Sequence, residues 1–295
     1  MFYRRKLILA LLQVFGGKLP QINLYKLLLI ISKQQQKPEY DFVPYMYGCY
    51  SFSLNADLET MIKKDMITQG NDKSFHKVGN KNYLSDLKDS DKKNLLSIHG
   101  SFAKKTSDDL IRYTYLNYPY TAIRSSIAEK LLSKKELEKV KTFKPFSTET
   151  ILFTIGYEGI SLEEYFNRLI KNDVKVLVDV RNNPLSMKFG FSKNQLKKYC
   201  EKLYIEYIHI PEVGIQPEFR KELNEQSDYD KLFIDYQKNN LSKTISYQQD
   251  IFNLLKTRNR IALTCFEANI CMCHRKHLAE AITKLPEWNY ELKHI

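Results

Sequence analysis

In the second half of the chain, short apolar runs alternate with stretches whose apolar residues recur every three or four positions. The runs at 151–155, 174–180 and 261–263 are almost wholly apolar, as strands buried on both faces of a sheet require. Two more strands are expected at 207–210 and 288–294. This alternation predicts an α/β domain with three layers and a mostly parallel, Rossmann-like sheet.

The first half has a helical pattern near its start. Apolar residues at three- and four-residue spacing predict a helix over 2–16 and two further helices, with Asn23 and Ser53 as their N-caps. Residues 67–83, which contain two glycines, predict a two-stranded wing. Three helices followed by a wing is the element order of a winged helix. We therefore predict a mostly helical, winged-helix-like domain.

The two patterns meet at a polar stretch, 141–150, that contains a proline and several hydroxyl residues. Such a stretch is typical of a linker, and it predicts two domains, 1–146 and 147–295. Charge divides at the same point, because residues 1–148 hold 25 Lys and Arg against 14 Asp and Glu, whereas the rest hold 21 against 20. The basic half predicts a nucleic-acid partner, with DNA favoured over RNA, unless the lysines serve only solubility.

A basic and aromatic patch is predicted in the first domain. Its residues are candidates for stacking on bases and for contacting a nucleic-acid backbone. They are Arg112, Tyr113, Tyr115, Tyr118, Tyr120 and Arg124. The alternative is that these tyrosines pack one domain against the next.

The cysteine content and the apolar runs indicate where the protein works. The chain has five cysteines, an odd number, which is not the pattern of a secreted disulfide framework. The apolar run after Arg5 and Lys6 ends at Gln13 without a cleavage-site pattern, and no run is long enough to span a bilayer. We therefore expect a cytoplasmic protein with no membrane partner.

The richest candidate chemistry lies where the strand that ends near Cys265 is followed by a predicted helix. Unpaired backbone N–H groups at the start of that helix favour an anion and would lower the pKa of Cys273. Cys273 and Cys265 are therefore candidate thiolate nucleophiles, with Glu267 or His209 as a general base. The alternative is that both cysteines are only small buried apolar residues.

Other interpretations of these cysteines involve metal or redox chemistry. A structural zinc site could use Cys265, Cys271, Cys273 and His277, but the Cys-x5-Cys-x-Cys spacing is not that of a usual zinc knuckle. A redox pair of Cys265 with Cys273 depends on a distance that no sequence gives. A cysteine-phosphatase loop is excluded, because the position where it needs an arginine holds Cys271, His277 or Ala279. The sequence thus predicts neither a metal nor another cofactor.

Further polar residues follow the ends of the predicted parallel strands, which meet at one edge of such a sheet. Arginine side chains at this edge suit a small phosphate-bearing ligand. The candidate ligand-binding residues are Gly156, Tyr157, Glu158, Asp179, Arg181, Arg220, His274 and Arg275. Taken singly, Asp179 and Arg181 could instead form an internal salt bridge, and His209 could be a hydrogen-bonded core imidazole.

The same motifs carry a family resemblance over about residues 150–295. The chain contains, in order, Thr154-Ile-Gly156-Tyr157-Glu158-Gly159, Val178-Asp179-Val180-Arg181-x-x-Pro184-x-Ser186, Tyr207-x-His209-x-Pro211, Arg220, Cys265 and Cys273-His-Arg275. On these motifs the second domain is identified as a member of the domain-of-unknown-function 488 family. The resemblance implies no particular reaction, because the family is named for lacking an assigned activity.

The first domain carries a second resemblance. Lys26-Leu-Leu, followed by Tyr47-Gly-x-Tyr50-Ser51 and a helix, is similar to small winged-helix-like domains related to the Panacea antitoxin group. Those domains usually have Tyr-Gly-Pro-Tyr-Ser, and Cys49 stands here in place of the proline. The resemblance implies either DNA binding or a surface for a protein partner.

Three hypotheses about function follow. The one we favour, because the charge distribution supports it directly, is a nucleic-acid-binding protein. Its first domain docks DNA or RNA, and its α/β domain binds a nucleotide, a base or another phosphate-bearing ligand. The second hypothesis is a thiol-dependent enzyme that acts on nucleic acid or nucleotides through Cys273 or Cys265. The third is a protein-partner module of a toxin–antitoxin or defence system.

Overall fold

The structure is a computed structural model that describes residues 1–220, 223 and 225–295, with only the backbone of Arg220. The chain divides into two compact units, Met1–Lys144 and Pro145–Ile295. Each unit has its own buried apolar residues, and each is described by itself.

The first unit is mainly helical, with two small antiparallel sheets. Its helices are α1 (Tyr3–Val14), α2 (Gln21–Gln34), α3 (Phe52–Lys63), α4 (Asp89–Phe102), α5 (Ser107–Asn117), α6 (Ala128–Leu131) and α7 (Lys134–Lys141). Its strands are β1 (Lys18–Pro20), β2 (Val43–Tyr45), β3 (Gly48–Tyr50), β4 (Ile67–Gln69) and β5 (Ser74–Lys77). β5 lies between β1 and β4 in a three-stranded sheet, and β2 pairs with β3.

Helices α1 and α2 form the centre of the first unit. Residues 7–12 of α1 and residues 24–32 of α2 are all buried. A helix that is buried on all sides belongs inside a domain rather than on its surface. Lys26 is buried with these residues, and its Nζ donates a hydrogen bond to Tyr47 O at 2.6 Å.

The helix starts in this unit differ from the sequence expectation. α2 begins at Gln21, before Asn23, and the Gln21 N–H donates to Lys73 O at 3.1 Å. The N-cap of α3 is Ser51 rather than Ser53. Its hydroxyl accepts the N–H of Leu54 at 3.2 Å, which is the usual geometry of a serine cap.

The second unit is an α/β domain built on one sheet. Its strands are β6 (Ile151–Gly156), β7 (Val176–Asp179), β8 (Glu206–His209), β9 (Arg260–Cys265) and β10 (Glu291–His294). Its helices are α8 (Leu162–Lys171), α9 (Lys193–Lys202), α10 (Gln226–Asp235), α11 (Ile245–Arg258) and α12 (His274–Ile282). The strand order is β10-β6-β9-β7-β8, and all neighbours are parallel. The predicted fold class, a parallel α/β domain after a helical one, is confirmed.

Strand β9 occupies the centre of this sheet, between β6 and β7. The chain runs from β6 outward to β7 and β8 on one side, and then returns through β9 to β10 on the other. Because such crossovers are right-handed, the helices that follow β6 and β9 lie on opposite faces of the sheet. The carboxyl ends of these strands therefore border a crevice of the kind in which open α/β sheets bind ligands.

None of the helices that the structure describes is both long and apolar enough to cross a bilayer. Helices α2, α4 and α11 have 14 residues each, whereas a spanning helix needs about 20.

Candidate functional site

A cleft of about 370 Å³ opens at the carboxyl end of the parallel sheet. The segments after β6, β7 and β9 line it, and Cys265 and His274 are among the lining residues. Leu185 and Met187, which also line it, are exposed apolar side chains. The cleft therefore combines polar groups from the strand ends with an apolar rim, as small-molecule sites commonly do.

The turn after β6 allows the loop after β9 to approach closely. A Cβ at Gly156 would lie 1.9 Å from the backbone oxygen of Glu267, so only glycine fits there. The N–H of Glu158 donates to Phe266 O at 2.9 Å, and its carboxylate accepts the N–H of Ala268 at 2.9 Å. Gly156 and Glu158 therefore position the loop that contains the cysteines.

Asp179 and Arg181 form a buried ion pair at the end of β7. Arg181 Nε donates to one carboxylate oxygen of Asp179 at 2.8 Å and Nη2 to the other at 2.5 Å. Arg181 Nη1 donates to the hydroxyl of Tyr157 at 2.7 Å and to Phe191 O at 2.9 Å. The hydroxyl of Tyr207 donates to Asp179 at 2.6 Å, and burial, with the nearby carboxylate, raises the pKa of that hydroxyl. Each of these groups is thus held in one orientation.

The arginines expected to bind phosphate are engaged by the protein itself. Arg181 makes the internal salt bridge that the sequence left open. Arg275 Nη1 donates to Glu267 O at 2.5 Å, and Nη2 donates to Ala268 O at 3.3 Å. Phosphate binding by either side chain would require displacement of these acceptors. The side chain of Arg220 lies outside the described residues.

His209 supports the end of β7. Its Nε2 is 2.9 Å from Arg181 O, and its Nδ1 is 2.9 Å from Lys193 Nζ. Because an ammonium group only donates, Nδ1 is the acceptor and Nε2 carries the hydrogen. The sequence offered a hydrogen-bonded core imidazole as the alternative to a general base, and His209 is hydrogen-bonded but only half-buried. Of the residues described, those that line the cleft do not include His209.

The loop after β9 brings together three predicted catalytic residues, Cys265, Glu267 and Cys273, and His274, which was predicted to bind a ligand. The Sγ atoms of Cys265 and Cys273 and a ring nitrogen of His274 all lie within 4.8 Å of one another. Cys265 Sγ is 3.1 Å from Glu267 Oε2 and 3.6 Å from His274 Nδ1. This cluster is the densest group of reactive side chains at the strand ends.

Comparison with known proteins now bears on this unit. Residues 161–282 match the family model named Domain of unknown function DUF488. The matched stretch runs from the N-cap of α8 to the end of α12, so it contains the Asp179–Arg181 pair and the cysteine cluster. The resemblance inferred for the second domain is confirmed over these residues. No curated protein and no solved structure matches the chain.

Two residues of the DUF488 region that the sequence combined with this cluster lie apart from it. Cys271 is exposed, and its Sγ is 4.0 Å from Lys276 Nζ. His277 Nδ1 is 2.8 Å from Gln237 Nε2, and its ring lies 4.5 Å from that of Phe233. The four-residue zinc set proposed from spacing is therefore not assembled.

The expected activation of Cys273 is not found. Cys273 is the N-cap of α12, as predicted, but its side chain is completely buried. Burial, together with neighbouring Cys265 and Glu267, raises the pKa of the Cys273 thiol well above its ordinary value. Desolvation thus outweighs the helix start on which the prediction of a lowered pKa rested.

Phe191 and Tyr207 were not assigned to this site from the sequence. The ring of Tyr157 stacks on that of Phe191, with centroids 4.1 Å apart, and Tyr207 binds Asp179. Tyr207 stands two positions before His209 in a strand, which places both side chains on one face. That spacing was the available signal for Tyr207, whereas the sequence holds none for Phe191.

The basic and aromatic patch of the first unit lies partly in its core. Tyr115 is fully buried, and its hydroxyl is 2.7 Å from Ser125 Oγ, so it cannot stack on a base. Arg112 donates to Leu131 O at 2.8 Å and to the carboxylate of Glu136. The other members are exposed or half-buried: Tyr113, Tyr118, Tyr120 and Arg124.

Proposed function

We propose that the protein binds DNA through its first unit, in the manner of a winged helix, and holds a small ligand in the cleft of the second unit. The observation that carries the first part is the element order α1, β1, α2, β2, β3, α3, β4, β5, with β5 between β1 and β4 and a separate β2–β3 pair between α2 and α3. Apart from the β2–β3 pair, three helices followed by a hairpin, with a short strand after the first helix completing the sheet, is the order typical of winged helices, and it supports the proposal. In helix-turn-helix proteins, one helix enters the major groove.

The charge of the first unit supports the same proposal. Residues 1–148 hold 25 basic and 14 acidic residues, a net charge of +11. Lys63, near the end of α3, and Lys73, in the turn of the β4–β5 hairpin, are both exposed. Arg5, by contrast, is held by buried Asp57 at 2.7 Å. The lysines of α3 and the hairpin are therefore the groups we assign to DNA phosphates.

A fluorescence-anisotropy titration of the full-length protein with labelled duplex DNA tests this assignment. We expect binding that weakens steeply with salt, because lysines that neutralise phosphates release counterions. The pair Lys63→Gln with Lys73→Asn should weaken binding and reduce the salt slope by about 2, roughly 1 for each lost contact. Asparagine suits position 73 because Lys73 has a positive φ of 58°.

The matched control removes the same charge elsewhere in the unit. Lys134 and Lys135 are exposed on α7, and changing both to Gln lowers the net charge equally. This control should retain the wild-type salt slope. Equal losses of DNA affinity in the two double variants would mean that binding follows net charge and not a winged-helix surface. An absence of binding at low salt would overturn DNA binding and leave a protein partner for this unit.

For the cleft of the second unit, we propose a nucleotide or base as the ligand class. The cleft volume of about 370 Å³ lies within the usual range of small-ligand sites, and Phe266 and Met187 offer flat or flexible apolar contact. Asn182 and Asn183 add amide groups to the lining. Thermal-shift measurements with a base, its nucleoside and its nucleotide should show stabilisation that Met187→Glu abolishes. No shift with any of the three would remove this proposal.

A further inference from the structure

We propose that Cys265, Cys273 and His274 bind one zinc ion, with the carboxylate of Glu267 beside the site. The proposal concerns the second unit alone and does not depend on DNA binding. It differs from the zinc site that spacing suggested, because Cys271 and His277 take no part.

The distance between Cys265 and His274 fits tetrahedral coordination. With Zn–S near about 2.3 Å and Zn–N near about 2.05 Å, a tetrahedral site holds sulfur and nitrogen about 3.6 Å apart. Cys265 Sγ and His274 Nδ1 are 3.6 Å apart. The Cys273 sulfur completes a group of three donor atoms that all lie within 4.8 Å of one another. Glu267 Oε2 is 3.1 Å from Cys265 Sγ but does not belong to this group of three. A tetrahedral zinc site with three protein ligands takes water or another molecule in the fourth position.

The imidazole of His274 is oriented as a metal ligand. Its Nε2 lies 3.0 Å from Val180 O, and both groups are buried. Because a carbonyl oxygen only accepts, Nε2 carries the hydrogen and the lone pair is on Nδ1, which faces Cys265 Sγ. Metal-binding histidines commonly donate their second ring N–H to a backbone carbonyl in this way.

The charges around the cluster balance with a divalent cation. Two thiolates and one carboxylate carry three negative charges, and zinc with the guanidinium of Arg275 carries three positive ones. Arg275 is buried, and within the described chain its Nε has no hydrogen-bond partner. Buried charges require compensation of this kind.

The donor types select the metal. Thiolate sulfur and imidazole nitrogen suit zinc, whereas magnesium and calcium prefer oxygen ligands. Two of the three ligands, Cys265 and His274, also line the cleft. A molecule bound in the cleft would therefore lie beside the ion.

Metal analysis of the full-length protein tests the proposal. The protein is purified under reducing conditions without a metal-affinity tag, saturated with zinc, desalted and analysed by inductively coupled plasma mass spectrometry. We expect about one zinc per chain in the wild type. The zinc content of Cys273→Ser and of His274→Ala should be lower by at least about tenfold. The matched control is Cys271→Ser, which removes a cysteine of the same loop and should retain the zinc.

Cobalt substitution tests the proposal if the variants Cys273→Ser and His274→Ala fail to fold. Cobalt(II) in the wild type and in Cys271→Ser should show the thiolate charge-transfer and tetrahedral bands of a two-sulfur site. Folded, reduced wild-type protein that retains neither zinc nor cobalt would overturn the proposal. So would equal metal loss in Cys271→Ser, or a mass two hydrogens low under the same reducing conditions, which would indicate a Cys265–Cys273 disulfide.

Discussion

Gly156 lies against the backbone carbonyl of Glu267 so closely that an added Cβ would be 1.9 Å from that oxygen. The loop after β9 has to shift if any side chain is placed there. We therefore expect Gly156→Ala to destabilise the protein by about 1–3 kcal/mol, as overpacking usually does. The free energy of unfolding in urea, followed by far-UV circular dichroism, measures the change.

A glycine with open space provides the control for this prediction. Gly100 lies in α4 and has no neighbouring atom within 4 Å of the position that a Cβ would take. Gly100→Ala should leave stability unchanged or raise it by about 0.5–1 kcal/mol, because alanine restricts the unfolded chain. If Gly156→Ala is as harmless as Gly100→Ala, the close approach does not constrain the loop.

The buried pair of Asp179 and Arg181 predicts a strong energetic coupling. Asp179→Leu leaves the guanidinium buried without its carboxylate and should cost about 3–5 kcal/mol. Arg181→Met should also destabilise, because it leaves the Asp179 charge unpaired. The double variant should be less destabilised than the sum of the two single variants, since no unpaired charge remains.

Fluorescence of Trp288, the single tryptophan of the chain, reports unfolding of the second unit in these variants. Its ring packs on Phe252, with centroids 5.6 Å apart. If the losses of unfolding free energy in the two single variants add up to that of the double variant, Asp179 and Arg181 are not coupled. Such additivity would also remove the argument that Arg181 is held too firmly to bind phosphate.

The parallel sheet was predictable because its central strands are buried on both faces. Every residue of β6 and of β9 is buried, so each strand shows as an apolar run. The ends of the strands were less predictable, since the strand expected at 174–180 spans only Val176–Asp179. In the first unit, β1 has only three residues, which is too short for an alternating pattern to appear.

The membership of the cysteine cluster could not be derived from spacing. Cys273 and His277 would share a helix face if the helix included both. Cys273 is instead extended, with φ −130° and ψ 132°, and α12 begins one residue later. Its side chain therefore does not follow helical spacing, and adjacent His274 becomes its neighbour. A backbone change at one residue decided which histidine joins the cluster.

The N-terminus of α5 provides a prediction about helix capping. Thr106 Oγ1 accepts the N–H of Asp109 at 3.1 Å, and the Asp109 carboxylate accepts the N–H of Thr106 at 3.0 Å. Thr106→Ala removes one half of this capping box and should cost about 0.5–2 kcal/mol in urea unfolding. Thr106→Ser keeps the hydroxyl and should remain near the wild type. A serine variant as unstable as the alanine variant would mean that the methyl group matters, not the cap.

Buried Lys26 predicts a pH dependence of stability in the first unit. Burial lowers the pKa of its ammonium group below the ordinary 10.5, although Cys49 Sγ is 3.6 Å away. Between the lowered pKa and 10.5, the unfolded chain binds a proton that the folded chain lacks. Stability should therefore rise with pH in that range, by at most about 1.4 kcal/mol per pH unit.

Comparison of the wild type with Lys26→Met isolates this contribution. Methionine has a similar shape, and it leaves Tyr47 O without the hydrogen bond at 2.6 Å, a cost that does not vary with pH. Below 9.0, the ordinary thiol pKa of Cys49, any change with pH in the difference in unfolding free energy between the two proteins comes from Lys26. Above that value, the raised pKa of buried Cys49 lowers the stability of both proteins. A difference in unfolding free energy that stays constant from pH 7 to 9.0 would show that Lys26 keeps its proton in the folded protein over that range. Tyr47 O, which accepts a hydrogen bond from Nζ, and the ring of Tyr115, 5.0 Å from Nζ, would then stabilise the ammonium group.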